Sequence, residues 1–308
     1  MIPLLVYFAT ACFRCLYWCA RCGRGSGKSP TTPRKQVPAS QLDEPSASLS
    51  PSPRRLEQHV DPELLRKMRS PFHDKPAKLV EMIRDTFAKE TVIEAAKAFV
   101  EYTGGEGRGL VRTEVLKGKS TSIAVRVQTC IDADVVQHLC YALHSFARES
   151  EMLTEHVSRA LRNISFDERG AAECNRAGAP EAICYALKLH GRTETSVCVE
   201  GASALYNIAY FFPASRTGII GHGAVPLLVD MINVHGGVVA DVAMFASKAI
   251  RSLATDGRLT DIFKSANAAA ALVRAFESLR LKGNLDGLLE VRQEINRALR
   301  ALNHRELS

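Results

Sequence analysis

Four cysteines near the start of the chain, Cys12, Cys15, Cys19 and Cys22, have the spacing that most invites chemistry. At first sight the pattern suggests a zinc or iron–sulfur site. On a helix, steps of three, four and three put all four thiols on one stripe. That stripe is about 15 Å long, too long to close around one ion with Zn–S bonds of about 2.3 Å. The surrounding residues 2–20 read IPLLVYFATACFRCLYWCA, a mostly apolar run broken by Arg14. About 20 such residues suffice to span a bilayer. Cysteines beside an apolar helix and a basic stretch are the setting for reversible S-palmitoylation. The four thiols are therefore lipidation candidates, and no metal is expected. A secretory signal fits less well, because no basic residue precedes the apolar run and no A-x-A-like cleavage site leads into a folded chain.

A second chemical motif is a decoy. Residues 22–29, CGRGSGKS, nearly match the phosphate-binding pattern GxxxxGK[ST], with Cys22 in place of the first glycine. Such a loop works only when a helix follows, its N-terminal N–H groups meeting the phosphates. Here PTTPRKQVP follows, a poor start for a helix. A nucleotide-binding protein using residues 22–29 thus stays a remote alternative. The nine His form no H-E-x-x-H pattern, and no nucleophile motif stands out. No catalytic residue, cofactor or enzymatic activity is expected. Thr32 and Ser52, each followed by proline and then basic residues, are phosphorylation candidates. A phosphate there would weaken attraction to anionic lipid.

Charge sharpens this division. The chain of 308 residues has a net charge of +7 and a pI near 9, which by itself suggests a nucleic-acid partner. Residues 1–55, however, hold eight basic and two acidic side chains, a charge of +6, and the rest is nearly neutral at +1. The basic character belongs to an arm beside the apolar run, where it favours a cytoplasmic, anionic membrane surface. The organelle (mitochondrial outer membrane, plasma membrane or endomembrane) stays open. No nucleic acid is expected. The domains read as an anchor over 1–24, a Ser/Pro-rich disordered linker over 25–58 and a folded body over 59–308.

The body repeats. CYAL at 140–143 returns at 184–187, and VDMI (229–232) and VRAF (273–276) stand at the next matching positions, in steps of 44, 45 and 44. A second ladder, ALRNI from Ala160, ALYNI from Ala204, AIRSL from Ala249 and ALRAL from Ala298, steps by 44, 45 and 49. Gly178-Ala179-Pro180 and Gly223-Ala224-Val225-Pro226 punctuate two units, with weaker equivalents at 132–134 and 267–268. Glycine ends one helix and proline suits the first turn of the next. The apolar spacing between ladders is helical, as at Val157, Ala160, Leu161 and Ile164. A looser unit precedes these, with LVEMI (79–83) and AAKAFVEY (95–102) as its second and third helices. The Gly-rich stretch within 103–130 reads as an insertion loop.

A repeat of this length, with G-A-x-P before one helix and A-L-x-N-[IL] in the next, resembles the armadillo family over roughly residues 130–303. The resemblance implies an all-α, right-handed solenoid of about five repeats, whose third helices line a concave binding face. Members of that family use the motif's Asn to hold an extended peptide, which maps onto Asn163 and Asn207, with Ser252 and an alanine at the later repeats. Four residues earlier stand Arg159, Ser203, Lys248 and Arg297, where nuclear-import members carry Trp. Immediately before the Asn stand Arg162, Tyr206, Arg251 and Arg300. These eleven candidate partner-binding residues are rich in cations, which resembles the beta-catenin-like branch and its acidic, extended partners. Armadillo proteins anchored by lipid or by an N-terminal membrane helix have a similar architecture, although Ile2 excludes N-myristoylation at position 2. The expected function is a non-enzymatic scaffold or adaptor, tethered to a membrane, that binds a protein segment. A soluble adaptor or transport receptor is the alternative. Oligomeric state is not legible.

Overall fold

Glycine and its stand-ins set where each unit turns. Gly178 and Gly223 have φ of +82° and +81°, and Asp134 and Asn267 take the same left-handed conformation at the equivalent points of their own units. Glycine enters that region without a Cβ clash, and Asp and Asn tolerate it better than most residues. Each of the four positions ends the first helix of its unit and redirects the chain into the second.

The computed structural model describes residues 75–85, 89–103, 120–255, 259–282 and 287–307. The first unit contributes two described helices, α1 (Lys75–Asp85) and α2 (Lys89–Thr103). Four three-helix units follow. The second comprises α3 (Ser120–Asp132), α4 (Val135–Phe146) and α5 (Glu151–Ile164). The third comprises α6 (Glu168–Arg176), α7 (Ala179–His190) and α8 (Thr195–Phe211). The fourth has α9 (Arg216–Gly221), α10 (Ala224–Met231, extended by a π-turn over Ile232–Gly236) and α11 (Ala240–Leu253). The fifth has α12 (Thr260–Ser265), α13 (Ala268–Leu281) and α14 (Leu288–Ala301). No strand occurs among the described residues.

One part of the sequence reading needs correction. The insertion loop expected over 103–130 does not extend over residues 120–130, which belong to α3, the first helix of the second unit. Its opening Ser-Thr-Ser reads as loop, yet Val127 and Cys130 are three apart and both buried, which is helical packing. The anchor, the linker, Cys12, Cys15, Cys19, Cys22, Thr32 and Ser52 lie outside the described residues.

The third helices α2, α5, α8, α11 and α14 pack side by side in chain order, and the second helices α1, α4, α7, α10 and α13 stack behind them. This right-handed α-solenoid buries one continuous core. Cys140 and Cys184, Leu143 and Leu187, Leu161 and Leu205 recur at the same depth in successive units. Side-chain caps fix some helix starts: Ser150 Oγ accepts from Leu153 N at 3.2 Å, and Asp167 Oδ1 from Gly170 N at 2.7 Å.

The left-handed turns give a clean test. A Cβ on Gly178 would meet nothing within 4 Å, nor would one on Gly218, which lies within α9. Only Gly178 has positive φ. Urea denaturation should therefore show Gly178→Ala destabilised by about 1–2 kcal/mol and Gly218→Ala unchanged or slightly stabilised. Equal effects would mean that backbone strain does not set the turn.

Candidate functional site

The A-L-x-N-[IL] motif places its polar residues on the inner face of each third helix, and in the structure most of them are occupied by neighbouring repeats. On α5, Asn163 is buried, and its Nδ2 donates to Thr103 Oγ1 on α2 at 3.3 Å. Its Oδ1 accepts from Nε and Nη2 of Arg162 at 3.2 and 3.0 Å. On α8, Asn207 Nδ2 donates to the Arg162 carbonyl at 3.0 Å. Both asparagines thus staple one third helix to the preceding one. An amide suits this because it can donate and accept at once.

The arginines are tied by a residue that the sequence reading passed over. Glu200 lies on α8 with a side chain only 2% exposed. Its Oε1 accepts from Arg159 Nε at 3.1 Å, and Oε2 lies 2.6 Å from Arg162 Nη1, an ion pair outside hydrogen-bond alignment. Arg159, itself 11% exposed, also donates from Nη2 to Glu155 at 2.6 Å. Two guanidinium groups and two carboxylates therefore close a nearly neutral cluster between the second and third units. A buried carboxylate needs such partners, because an unmatched charge in the interior is costly.

A related cluster joins the last two units. Glu294 on α14 is buried, and its Oε1 accepts from Arg251 Nε of α11 at 2.6 Å. Its Oε2 accepts from Arg297 at 3.1 Å. Arg251 also sits 6.0 Å from the Tyr206 ring centroid, linking α8, α11 and α14. Lys248 covers the Phe245 ring at 4.8 Å. Ser203 and Ser252 are buried, and Ser252 Oγ has no partner among the described residues. Tyr206, Tyr210, Phe211 and Phe166 form a chain of ring contacts at the end of α8, with Tyr210 half exposed. Among the candidate cations, Arg297 and Arg300 are the exposed ones, at 53% and 59%.

Glu200 and Glu294 share one repeat position, seven residues before Asn207 and Ala301. Seven residues are two helical turns, so both face the same way as the motif. That recurrence was the available signal. The five cysteines of the described units are all buried and unpaired. Burial pushes the thiols of Cys130, Cys140, Cys184 and Cys198 up to about 12, and raises Cys174 well above its ordinary value. At neutral pH they pack as small apolar groups and are not nucleophiles. Burial of Asn163 likewise keeps Asn163-Ile164-Ser165 from serving as a glycan acceptor.

The stacked three-helix units can be compared with solved structures. A designed armadillo repeat protein, YIII(Dq.V1)4CPAF in complex with the peptide (KR)4, superposes with a TM-score of 0.54 at 22% identity, covering 74% of this chain and 81% of that one. The fold is that of armadillo repeats. Two engineered proteins with crystal structures superpose with a TM-score of 0.53, at 20% and 22% identity. Each covers 75% of this chain, and 97% or 99% of its own. No protein-family model and no curated protein matches the chain in sequence. In this fold the third helices form one continuous surface along the stack.

The Glu200 cluster predicts an asymmetry between neighbouring carboxylates. Glu200→Ala leaves two largely buried guanidinium groups short of an anion and should cost about 3–5 kcal/mol. Glu155→Ala removes a more exposed partner and should cost at most about 1 kcal/mol. Chemical denaturation of the two variants checks this. Similar losses would show that Glu200 is not the centre of the cluster.

Proposed function

We propose that this chain is a non-enzymatic armadillo scaffold, held at a cytoplasmic membrane face by residues 1–24, that binds an extended acidic protein segment. The binding face is the row of third helices, toward the C-terminal end of the solenoid. The observation that carries this reading is the exposure of Arg297 and Arg300 on α14, beside Lys248 on α11. Arg159 and Arg162 contribute less than the sequence suggests, because Glu155 and Glu200 neutralise them. The designed neighbour is in complex with a cationic peptide. The arginines here favour the opposite charge by electrostatic complementarity. Tyr206 and Tyr210 add half-apolar surface for residues flanking the acids.

Support for the tether comes from the sequence. An apolar, Cys-striped segment and an adjacent charge of +6 supply the two signals that stable anchoring needs. Among the described residues no single helix is long and apolar enough to cross a membrane.

Two experiments test the reading. In cell fractionation the full chain should sediment with membranes, and a chain starting at Asp61 should not. Soluble behaviour of both would favour the untethered adaptor. For the groove, a labelled (Asp-Glu)4 peptide should bind at low salt and weaken as salt rises, whereas (KR)4 should not bind. Lys248→Glu with Arg297→Glu should weaken (Asp-Glu)4 at least about tenfold. Equal binding of the two peptides, or no effect of the double reversal, would sink the acidic-segment assignment. Arg159 is unsuited to this test, since its reversal would crowd three carboxylates together and perturb the fold.

A further inference from the structure

The last third helix, α14, ends differently from α5, α8 and α11. Asn303 has φ of +55°, His304 N donates to Leu299 O at 2.9 Å, and Asn303 N donates to Arg300 O at 3.0 Å. These bonds form the helix-ending motif that reverses the chain. Residues 304–307 then run back beside α14, without helix or turn. Leu307 N donates to Asn296 Oδ1 at 2.8 Å, and Asn296 Nδ2 donates to Leu307 O at 3.5 Å. Along the helix, Asn296 lies about 10 Å back from Asn303. Four residues reach about 14 Å at most, so the tail must be well stretched. One side-chain amide therefore clamps both backbone groups of one residue in a stretched segment. Arg300 Nη1 meets Glu306 at 3.6 Å, and the Leu307 side chain packs on the core.

Asn296 is also out of keeping with its repeat position. Five residues before the motif's Asn, the earlier units have Ser158, Ala202 and Ser247, all fully buried. Small residues there let the next third helix approach. After α14 no described third helix follows, and the position carries an amide, which can satisfy both an N–H and a C=O of a passing strand.

The geometry points to the open face of α14 as a binding site for an extended segment in which an acidic residue is followed directly by an aliphatic one. In this chain the site is filled by Glu306 and Leu307, and a partner segment of the same chemistry takes it when the tail detaches. Asn296 reads the backbone, Arg300 the acid, and the apolar edge of α14 the aliphatic side chain. This deepens the proposed binding of acidic segments and rests on it, placing one subsite beside Arg297. A tail tethered four residues away competes at an effective concentration on the order of millimolar. The site is therefore largely closed in the intact chain.

The test uses the full chain and a fluorescent peptide of residues 302–308 as the probe. Leu307→Asp should release the tail and leave Asn296 and Arg300 in place. By fluorescence polarisation the probe should bind the Leu307→Asp chain at least about tenfold more tightly than the wild type. Adding Asn296→Ala should abolish that gain, while circular dichroism shows both variants folded. Three results would overturn the inference: equal binding by wild type and Leu307→Asp, no binding to folded Leu307→Asp at about 1 mM probe, or indifference to Asn296→Ala. A wild-type dimer that Asn296→Ala dissolves would also overturn it, by placing a second copy's tail in the site. Binding of (Asp-Glu)4 through Lys248 and Arg297 is scored separately, so the groove reading can survive the loss of this one.

Discussion

Glu200 places a carboxylate between two third helices with almost no access to water, and much of the inner face is arranged around that fact. An ionised group in such a place needs cations and hydrogen bonds close by. Arg159 and Arg162 of the preceding unit supply the charge. Asn163 holds Arg162 in position, and Thr103 holds Asn163 in turn. Thr103 Oγ1 donates to the Phe99 carbonyl at 2.7 Å. The polar path thus runs without interruption from α2 through α5 to α8. Apolar packing alone would let successive repeats slide along one another. A buried ion cluster has one satisfied arrangement, and so fixes their register at some cost in stability.

The same device recurs after a gap. Glu294 occupies the position of Glu200 two units later and takes Arg251 from the preceding unit. The intermediate unit has Phe245 there, with Lys248 over its ring. Acidic and apolar occupants thus alternate along the row from the third unit to the fifth. The consequence for function is direct. An arginine that neutralises a buried glutamate is poorly placed to recruit an external acid, so the positive field available to a ligand moves toward Arg297 and Arg300. Each of these also has an internal carboxylate nearby, which keeps the surface near neutrality until a segment of higher charge density competes.

The repeats themselves were legible because helix packing forces periodicity into the sequence. Cys140 with Cys184, and Leu161 with Leu205, recur because each fills the same hole in successive units. Asp134 and Asn267 were legible as punctuation, since few residues accept a left-handed turn. The start of α3 was hidden by Ser120-Thr121-Ser122, whose hydroxyls suit a helix end as readily as a loop. The eleven candidate binding residues could be placed on the row of third helices, but not their partners. A pairing such as Arg159 with Glu200 joins residues 41 apart in sequence, and no local pattern announces it. It becomes readable only when the acids are tabulated by repeat position alongside the bases.

Position within the repeat also explains what covers α14. Ser158, Ala202 and Ser247 are small because a neighbour's helix must come close, whereas α14 is approached by the extended segment 304–307. A bare α14 would expose the kind of apolar edge that a neighbouring third helix covers in earlier units, so a unit covered differently departs from the pattern. Here the departure has two coupled parts. Asn303 takes the left-handed conformation that turns the chain back, and Asn296 holds the strand that arrives. Neither residue has a use without the other: a returning tail with nothing to hold its backbone would drift into solvent, and an amide on a covered helix would obstruct packing. A face that accepts a stretched strand through its backbone is also, by construction, less selective for its own tail than a packed helix interface would be. Its remaining discrimination lies in the Arg300 charge and in the room left for Leu307.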